Sequence, residues 1–162
     1  MTLMLAQTYD PEKHEVLGWL MSEKMDGVRC YWNGSNMYSR NGNMFYPPDW
    51  FKELLPKFPL DGELWTKRED FQKIVSIVKK HSPGEEWKDI SLQVFDAPKM
   101  KAPFEARLKK LQKVVDQTNS KHLIMLKQTK MESLEDLDKM MDEITGKGGE
   151  GVMLKDPTSD YE

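Results

Sequence analysis

Two nearby asparagine–glycine pairs constrain the first third of this chain more than any other feature. Asn33-Gly34 and Asn41-Gly42 each follow a short run containing aromatic or β-branched residues. An Asn-Gly pair between such runs is a strong signal for a tight turn joining antiparallel strands. We therefore predict that residues 27–32, 36–40 and 43–46 form a meander of three antiparallel strands.

The rest of the chain alternates between the apolar spacing of strands and that of helices. Alternating apolar runs predict strands over residues 60–65, 90–96, 123–129 and 151–155. Spacings of three and four predict a helix over residues 68–80, and cap residues or a proline near the start predict helices over residues 50–55, 103–117 and 133–145. Asp49 is expected to cap the first helix, and Ser133 with Asp136 resembles a capping box. Hairpin strands mixed with helices indicate one α+β domain over residues 1–162, with antiparallel sheets flanked by helices.

Composition narrows the class of protein only slightly. The chain has 162 residues and a net charge of −3, so overall charge gives nucleic-acid binding no support. The one cysteine, Cys30, excludes an intrachain disulfide. The sequence has no apolar run of membrane-spanning length, and residues 1–9 lack the features of a secretory signal. We expect a monomer without a membrane segment, and no compartment is assigned.

A lysine just before a predicted strand is the first candidate for chemistry. Lys24 has Asp26 two residues on, and Gly27 and Arg29 follow. A lysine is nucleophilic only when neutral, and its ordinary pKa is about 10.4, so a catalytic lysine needs burial or nearby cations. Taken alone, the segment is more typical of a charged loop that enters a hairpin, with Gly27 serving only the turn.

Three later segments carry further candidates, and each also has an ordinary structural interpretation. Glu63 is typical of an exposed residue after a turn, Phe95 of a core residue, and the glycines around Glu150 of a helix stop. Several other classes of site are excluded. The sequence has no Walker phosphate loop or GxGxxG, no zinc-ligand spacing and no hydrolase elbow.

Together, five segments in order are far more specific than any one of them. KMDGVR at residues 24–29 resembles the KxDGxR signature of the covalent nucleotidyltransferases, which are DNA ligases, RNA ligases and mRNA capping enzymes. The later segments resemble the family's following elements: SRNG (39–42), DGEL (61–64), VFD (94–96) and EGVMLK (150–155). The resemblance covers residues 3–156. It is strongest to the minimal ATP-dependent DNA ligases of the Lig E class, through MLA (4–6), PPDW (47–50) and FDAP (95–98).

The resemblance implies an ATP-grasp-like nucleotidyltransferase fold and a defined reaction. Lys24 would attack the α-phosphate of ATP, hold AMP through a phosphoramidate bond and release pyrophosphate. AMP would then pass to a 5′-phosphate at a nick in duplex DNA, where a 3′-hydroxyl displaces it.

The same resemblance assigns roles to residues around the lysine. Arg29 and Arg40 would pair with phosphate and the sugar region, Glu63 would bind the ribose, and Phe95 would stack on adenine. Two carboxylates would help to place Mg²⁺: Glu150 through water, and Asp26 as the weaker ligand. Two residues before the lysine, Ser22 and Glu23, would also contact the nucleotide.

The family pattern also has elements that this sequence does not contain. These are a strand with two lysines beyond the EGVMLK segment and an OB-fold domain. We therefore expect residues 1–162 to be an adenylation domain that lacks its C-terminal lysine-bearing strand and to self-adenylate weakly. Three alternatives stay open: an RNA ligase, a capping enzyme that uses GTP, and an inactive fragment that binds a nucleotide or a partner.

Overall fold

The computed structural model describes residues 16–161, which form nine strands and four α-helices. The MLA stretch at residues 4–6 lies outside the described residues. The strands are β1 Leu20–Glu23, β2 Val28–Trp32, β3 Met37–Ser39, β4 Met44–Phe45, β5 Leu60–Trp65, β6 Ser91–Asp96, β7 Leu123–Met125, β8 Thr129–Lys130 and β9 Val152–Lys155. The helices are α1 Asp49–Lys52, α2 Phe71–Val78, α3 Phe104–Thr118 and α4 Leu134–Gly146, and Glu85–Asp89 is a 3-10 helix. The predicted α+β class is confirmed.

The strands form two sheets that place different parts of the sequence side by side. The larger sheet has the order β4-β3-β2-β5-β6-β7, and the smaller has the order β8-β1-β9. The chain crosses from the smaller sheet to the larger between β1 and β2. The loop at this crossing holds Lys24, so the candidate lysine lies between the two sheets.

The predicted meander is confirmed, although its turns are wider than two residues. β2 pairs antiparallel with β3, and β3 pairs with β4. Residues 33–36 form the first turn, in which Asn33 Oδ1 accepts hydrogen bonds from the backbone amides of Ser35 and Asn36. Gly34 has φ +103, a left-handed conformation that favours glycine. The Asn-Gly pair therefore favours the turn, and the Asn33 side chain closes it over four residues.

Pairing between distant segments differs from the prediction at three strands. β7 pairs parallel with β6, so the larger sheet is mixed rather than wholly antiparallel. The predicted strand over residues 123–129 ends at Met125, because the chain then leaves the larger sheet and forms β8 against β1. β1 itself was not predicted. Its partners Lys130 and Lys155 are far away in sequence, so no local pattern marks the strand.

Helix boundaries also differ where a tertiary contact competes with the helix. The helix predicted over residues 68–80 begins at Phe71, because Glu69 has φ +60, which no α-helix accommodates. Asp49 is the first residue of α1 rather than its cap, and no side-chain cap bond is made there. At α4 the predicted capping box is confirmed. The Ser133 side chain accepts a hydrogen bond from the backbone amide of Asp136, and the Asp136 side chain accepts one from the backbone amide of Ser133.

Two apolar cores hold the sheets. The larger core lies on the six-stranded sheet and includes the fully buried Phe51 and Trp87. The smaller core joins Met21 of β1 to Met131, with Leu137 of α4 packed against it. Among the described residues, no helix combines the length and the apolar character needed to span a bilayer.

Candidate active site

Lys24 lies at the start of the four-residue loop that connects β1 with β2. Its side chain is exposed, and its backbone amide donates to the carbonyl of Gly151 at 2.8 Å. Gly151 directly precedes β9, which pairs with β1. This bond joins the lysine loop to the glycine-rich segment that contains Glu150.

Three predicted nucleotide-binding residues lie on the adjacent strands β2, β5 and β6. Arg29 is the direct antiparallel partner of Glu63. The guanidinium carbon of Arg29 lies 5.2 Å from the ring centroid of Phe95. The structure therefore brings together three side chains that are each more than thirty residues from the next in sequence, close to the lysine loop.

The guanidinium of Arg29 is oriented by a second carboxylate, Asp61. Arg29 Nε donates to Asp61 Oδ1 at 3.0 Å, and Nη2 donates to Oδ2 at 2.6 Å. Asp61 has no exposed surface, and Tyr161 Oη also donates to its Oδ2 at 2.5 Å. Burial raises the pKa of Asp61, against the opposing effect of Arg29 and Tyr161. This fork uses Nε and Nη2, so Nη1 is the nitrogen left on the outer side of the guanidinium.

Glu63 occupies an environment that disfavours its charged form. Burial raises the pKa of Glu63 to about 8; the charges of Asp61 and Glu150 add to this, and Arg29 and the Gly27 amide oppose it. Within residues 16–161, its atom Oε2 is buried and has no hydrogen-bond partner. A carboxyl group in this state can donate or accept a hydrogen bond to a sugar hydroxyl.

Gly27 permits this arrangement by close approach rather than only by turn formation. A Cβ at Gly27 would lie 2.3 Å from the Leu64 carbonyl oxygen and 3.0 Å from Glu63 Oε2. The loop after the lysine can therefore pack on β5 only with glycine at this position. Interpreting Gly27 as a turn residue alone missed this second requirement.

We expect Glu63 to make stability depend on pH. Its ordinary pKa is 4.5 and its folded pKa is about 8, so between these values the folded chain binds more protons than the unfolded chain. Stability from this residue is therefore present at low pH and falls as pH rises through the window, by at most about 1.4 kcal/mol per pH unit. Urea unfolding at pH 5.5 and 7.5 should show a smaller decline for Glu63→Gln than for wild type.

The control for this pH dependence is Glu53→Gln, which changes an exposed glutamate away from the site. It should keep the wild-type pH dependence. Equal declines in wild type and Glu63→Gln would show that Glu63 ionises normally in the folded chain.

The remaining acidic candidates lie at the edge of this group. Glu150 is exposed and is near enough for its charge to act on Glu63. Asp26 Oδ2 accepts the backbone amide of Glu69 at 2.7 Å, while its Oδ1 is buried without a partner in the described part of the chain. Residues 16–161 contain no cluster of three or more His, Cys, Asp or Glu side chains placed to hold a metal ion.

Three predicted residues have surroundings other than the Arg29–Glu63–Phe95 group. Ser22 is buried in β1 opposite Met153. Glu23 forms a bidentate pair with Arg68, at 3.0 and 2.6 Å. Arg40 is exposed in the loop after β3. The Glu23 carboxylate is thus paired with Arg68 of the same chain, and Arg40 lies at the surface.

A buried ion-pair network beneath the site was missed by sequence reasoning. Asp96, with no exposed surface, accepts from Arg107 Nε at 2.7 Å, from Arg107 Nη2 at 3.1 Å and from Lys155 Nζ at 2.6 Å. Arg107 is also fully buried. It lies on the apolar stripe of α3 between Phe104 and Leu111, at spacings of three and four. A charged residue on such a stripe could have predicted that Arg107 is buried and pairs with a residue of opposite charge.

Comparisons with known proteins identify the family of this chain. The family model described as "ATP dependent DNA ligase domain" matches residues 3–162. A DNA ligase from Haemophilus influenzae is 35% identical over 99% of this chain and 59% of its own length. The chain therefore spans about three-fifths of that curated relative.

Solved structures of ligases share the fold. A structure from a study of Lig E DNA ligases has a TM-score of 0.92 and 31% identity, covering 100% of this chain and 64% of the other. The Chlorella virus DNA ligase–adenylate has a TM-score of 0.84 and 21% identity, covering 100% of this chain and 63% of the other. The second likeness shows the fold alone.

Proposed function

This chain belongs to the ATP-dependent DNA ligase family, and on that premise we propose that Lys24 is the residue that takes AMP from ATP. The observation that carries the proposal is the convergence of Arg29, Glu63 and Phe95 on the loop that holds the lysine. These side chains supply a guanidinium, a carboxyl group and an aromatic face, which are the groups needed for phosphate, sugar and base.

The proposed step is a displacement at the α-phosphorus of ATP. The neutral amine Nζ of Lys24 forms a bond to the α-phosphorus and gives up one of its two protons to solvent, and the bond from the α-phosphorus to the oxygen that bridges to the β-phosphate breaks. Pyrophosphate leaves with the bonding electrons, and AMP stays on the lysine. The protein contributes chiefly by positioning and by charge stabilisation.

We propose that the pocket holds the nucleotide from three sides. Phe95 stacks on the adenine, and the buried Oε2 of Glu63 meets a ribose hydroxyl, which supplies the partner that this atom lacks among the described residues. Arg29 meets phosphate through its outer nitrogen Nη1 while Asp61 holds its other side. Arg40, Ser22 and Glu23 stay predicted contacts of the nucleotide.

The carboxylates near the lysine fit a divalent cation that is held mostly by phosphates and water. Mg²⁺ keeps several waters and uses one or two carboxylates, so a dense ligand cluster is not required. Asp26 Oδ1 is buried and has no partner within residues 16–161, and Glu150 is exposed; each could accept a hydrogen bond from water on the ion. When bound, Mg²⁺ would neutralise negative charge on the phosphates.

We propose nicked duplex DNA as the acceptor of AMP, because relatives across this family are DNA ligases. AMP would pass from Lys24 to a 5′-phosphate at the nick, and a 3′-hydroxyl would then displace it and form the phosphodiester. The monomeric state stays a prediction.

Incubation with α-labelled nucleotide and Mg²⁺ tests the first step. Label from ATP should remain on the chain after denaturation, and label from GTP should not. A stable adduct from GTP alone would instead support a capping-type enzyme. Absence of any covalent label, with nucleotide binding intact, would favour an inactive nucleotide-binding protein.

Phe95→Ala is expected to weaken ATP binding by about 1–3 kcal/mol, because base–aromatic stacking contributes that much. Isothermal titration with ATP measures the change directly. Phe95→Tyr keeps an aromatic face and is the matched control, since its affinity should stay near wild type. An unchanged affinity in Phe95→Ala would contradict the stacking role.

A further inference from the structure

The loop at residues 66–70, between β5 and α2, contacts residues on both sides of Lys24. None of its residues belongs to the nucleotide-binding group described above. On the N-terminal side of Lys24 it reaches Glu23, and on the C-terminal side it reaches Asp26. The nucleophile is therefore bracketed by two ties from one loop.

The first tie is a bidentate, charge-assisted pair. Arg68 Nε donates to Glu23 Oε2 at 3.0 Å, and Nη2 donates to Oε1 at 2.6 Å. The two side chains are 33% and 15% exposed, so the pair is partly shielded from water. Two parallel bonds fix the orientation of the Glu23 side chain as well as its distance, which a single ammonium would not do.

The second tie requires an unfavourable backbone conformation. The amide of Glu69 donates to Asp26 Oδ2 at 2.7 Å. Glu69 has φ +60, a left-handed conformation that is uncommon for residues with a side chain. A hydrogen bond between Thr66 Oγ1 and Asp70 Oδ2 closes this loop at 2.5 Å. Strained backbone of this kind persists where the surroundings hold it, and it is concentrated at functional sites.

The same loop also contacts the glycine-rich segment before β9. A Cβ at Gly148 would lie 3.2 Å from the carboxyl group of Glu69, and one at Gly149 would lie 3.3 Å from Glu23 Oε2. The backbone amide of Lys24 also donates to the carbonyl of Gly151, which connects the lysine loop directly with the glycine-rich segment. Three loops, at residues 24–27, 66–70 and 147–151, therefore form one connected unit around the lysine.

We infer that Arg68 is a positioning residue for the Lys24 nucleophile. It acts through Glu23 and so sets where the Lys24 backbone lies relative to the nucleotide pocket on β2, β5 and β6. This inference rests on the proposed function. A displacement of about 1 Å at a reacting group can lower a rate about 100-fold while leaving binding contacts in place. Loss of Arg68 should therefore lower the rate of adenylation much more than the affinity for ATP.

Single-turnover adenylation of the full chain, followed by rapid quenching over a range of ATP concentrations, separates rate from affinity. We expect Arg68→Ala to lower the maximal rate constant by about 10- to 100-fold and to change the apparent Kd for ATP less than about threefold. Arg68→Lys should recover part of the rate, because it restores the charge but not the fork. Lys80→Ala breaks the exposed Lys80–Glu86 pair and should leave both values unchanged.

Glu23→Gln supplies a second variant that keeps the size of the side chain. The double variant Arg68→Ala/Glu23→Gln should be no slower than Arg68→Ala, because both changes remove the same tie. The urea midpoint of every variant shows whether a loss of adenylation rate comes from a misplaced Lys24 or from unfolding. A wild-type rate in folded Arg68→Ala, multiplicative losses in the double variant, or a loss confined to ATP affinity would each overturn the inference. Wild type that forms no adduct at all would instead refute the proposed function on which it rests.

Discussion

Lys24→Ala and Lys24→Arg are both expected to abolish the covalent AMP adduct, lowering the labelling rate by more than about 1,000-fold. The alanine variant has no amine, and the guanidinium of arginine stays protonated and cannot attack phosphorus. Label from α-labelled ATP that stays on the chain after denaturation at neutral pH, together with the mass of the intact chain, measures the loss.

Folding and nucleotide binding should survive both substitutions. The Lys24 side chain is exposed, and its structural hydrogen bond to Gly151 comes from the backbone amide, which both variants keep. The urea midpoint and the affinity for ATP therefore serve as internal controls. Wild-type labelling of a folded Lys24→Ala variant would show that another side chain is the nucleophile, and peptide mapping of the label would locate it.

The second large effect is expected on stability, from the network beneath the pocket. Asp96→Ala should lower the free energy of unfolding by about 3–5 kcal/mol, because it leaves the fully buried Arg107 guanidinium without its carboxylate partner. Domains of this size are stable by only about 5–15 kcal/mol, so the loss is a large share of the total. Urea unfolding followed by tryptophan fluorescence measures the change.

An exposed ion pair provides the matched control for Asp96→Ala. Glu85→Gln removes the Lys88–Glu85 pair at the surface, where such pairs contribute about 0–1 kcal/mol. The loss of unfolding free energy in Asp96→Asn should fall between the losses in Asp96→Ala and Glu85→Gln, because asparagine keeps one acceptor oxygen but has no charge. A loss below about 1 kcal/mol in Asp96→Ala would show that the network is not a main support of the fold.

The position of this network explains why its effect should extend to the candidate site. Asp96 follows Phe95 directly, and Lys155, the last residue of β9, donates to Asp96. Arg107 also donates to the carbonyl of Ser159, which ties the last described residues to α3. Tyr161 in that segment in turn donates to Asp61, the partner of Arg29. Destabilised Asp96 variants should therefore bind ATP more weakly even where they remain folded.

Local features of the sequence were sufficient for much of the fold. The Asn-Gly pairs predicted the meander, and the alternating apolar residues of β5 predicted its bounds, Leu60–Trp65. Ser133 and Asp136 predicted the start of α4. Each of these signals lies within a few residues of the structure it specifies, because turns, caps and strand alternation depend on neighbouring side chains.

The candidate site was predicted in part. The order of five segments implied Lys24, Arg29, Glu63 and Phe95, and the pairing of β2, β5 and β6 then placed the last three together. Glu23 stays a predicted nucleotide contact, but the pairing of its carboxylate with Arg68 was not predicted. The partner is forty-five residues away, so no local pattern could connect the two.

By itself, the sequence determined most of the strands, turns and helices and supplied the candidate residues for chemistry, because these depend on residue type and on near neighbours. The tertiary structure alone decided the parallel pairing of β7, the existence of β1, the delayed start of α2 and the burial of Arg107. Each of these depends on contacts across the chain whose energies outweigh local preference, as when the Asp26 carboxylate holds Glu69 in a conformation that no helix allows.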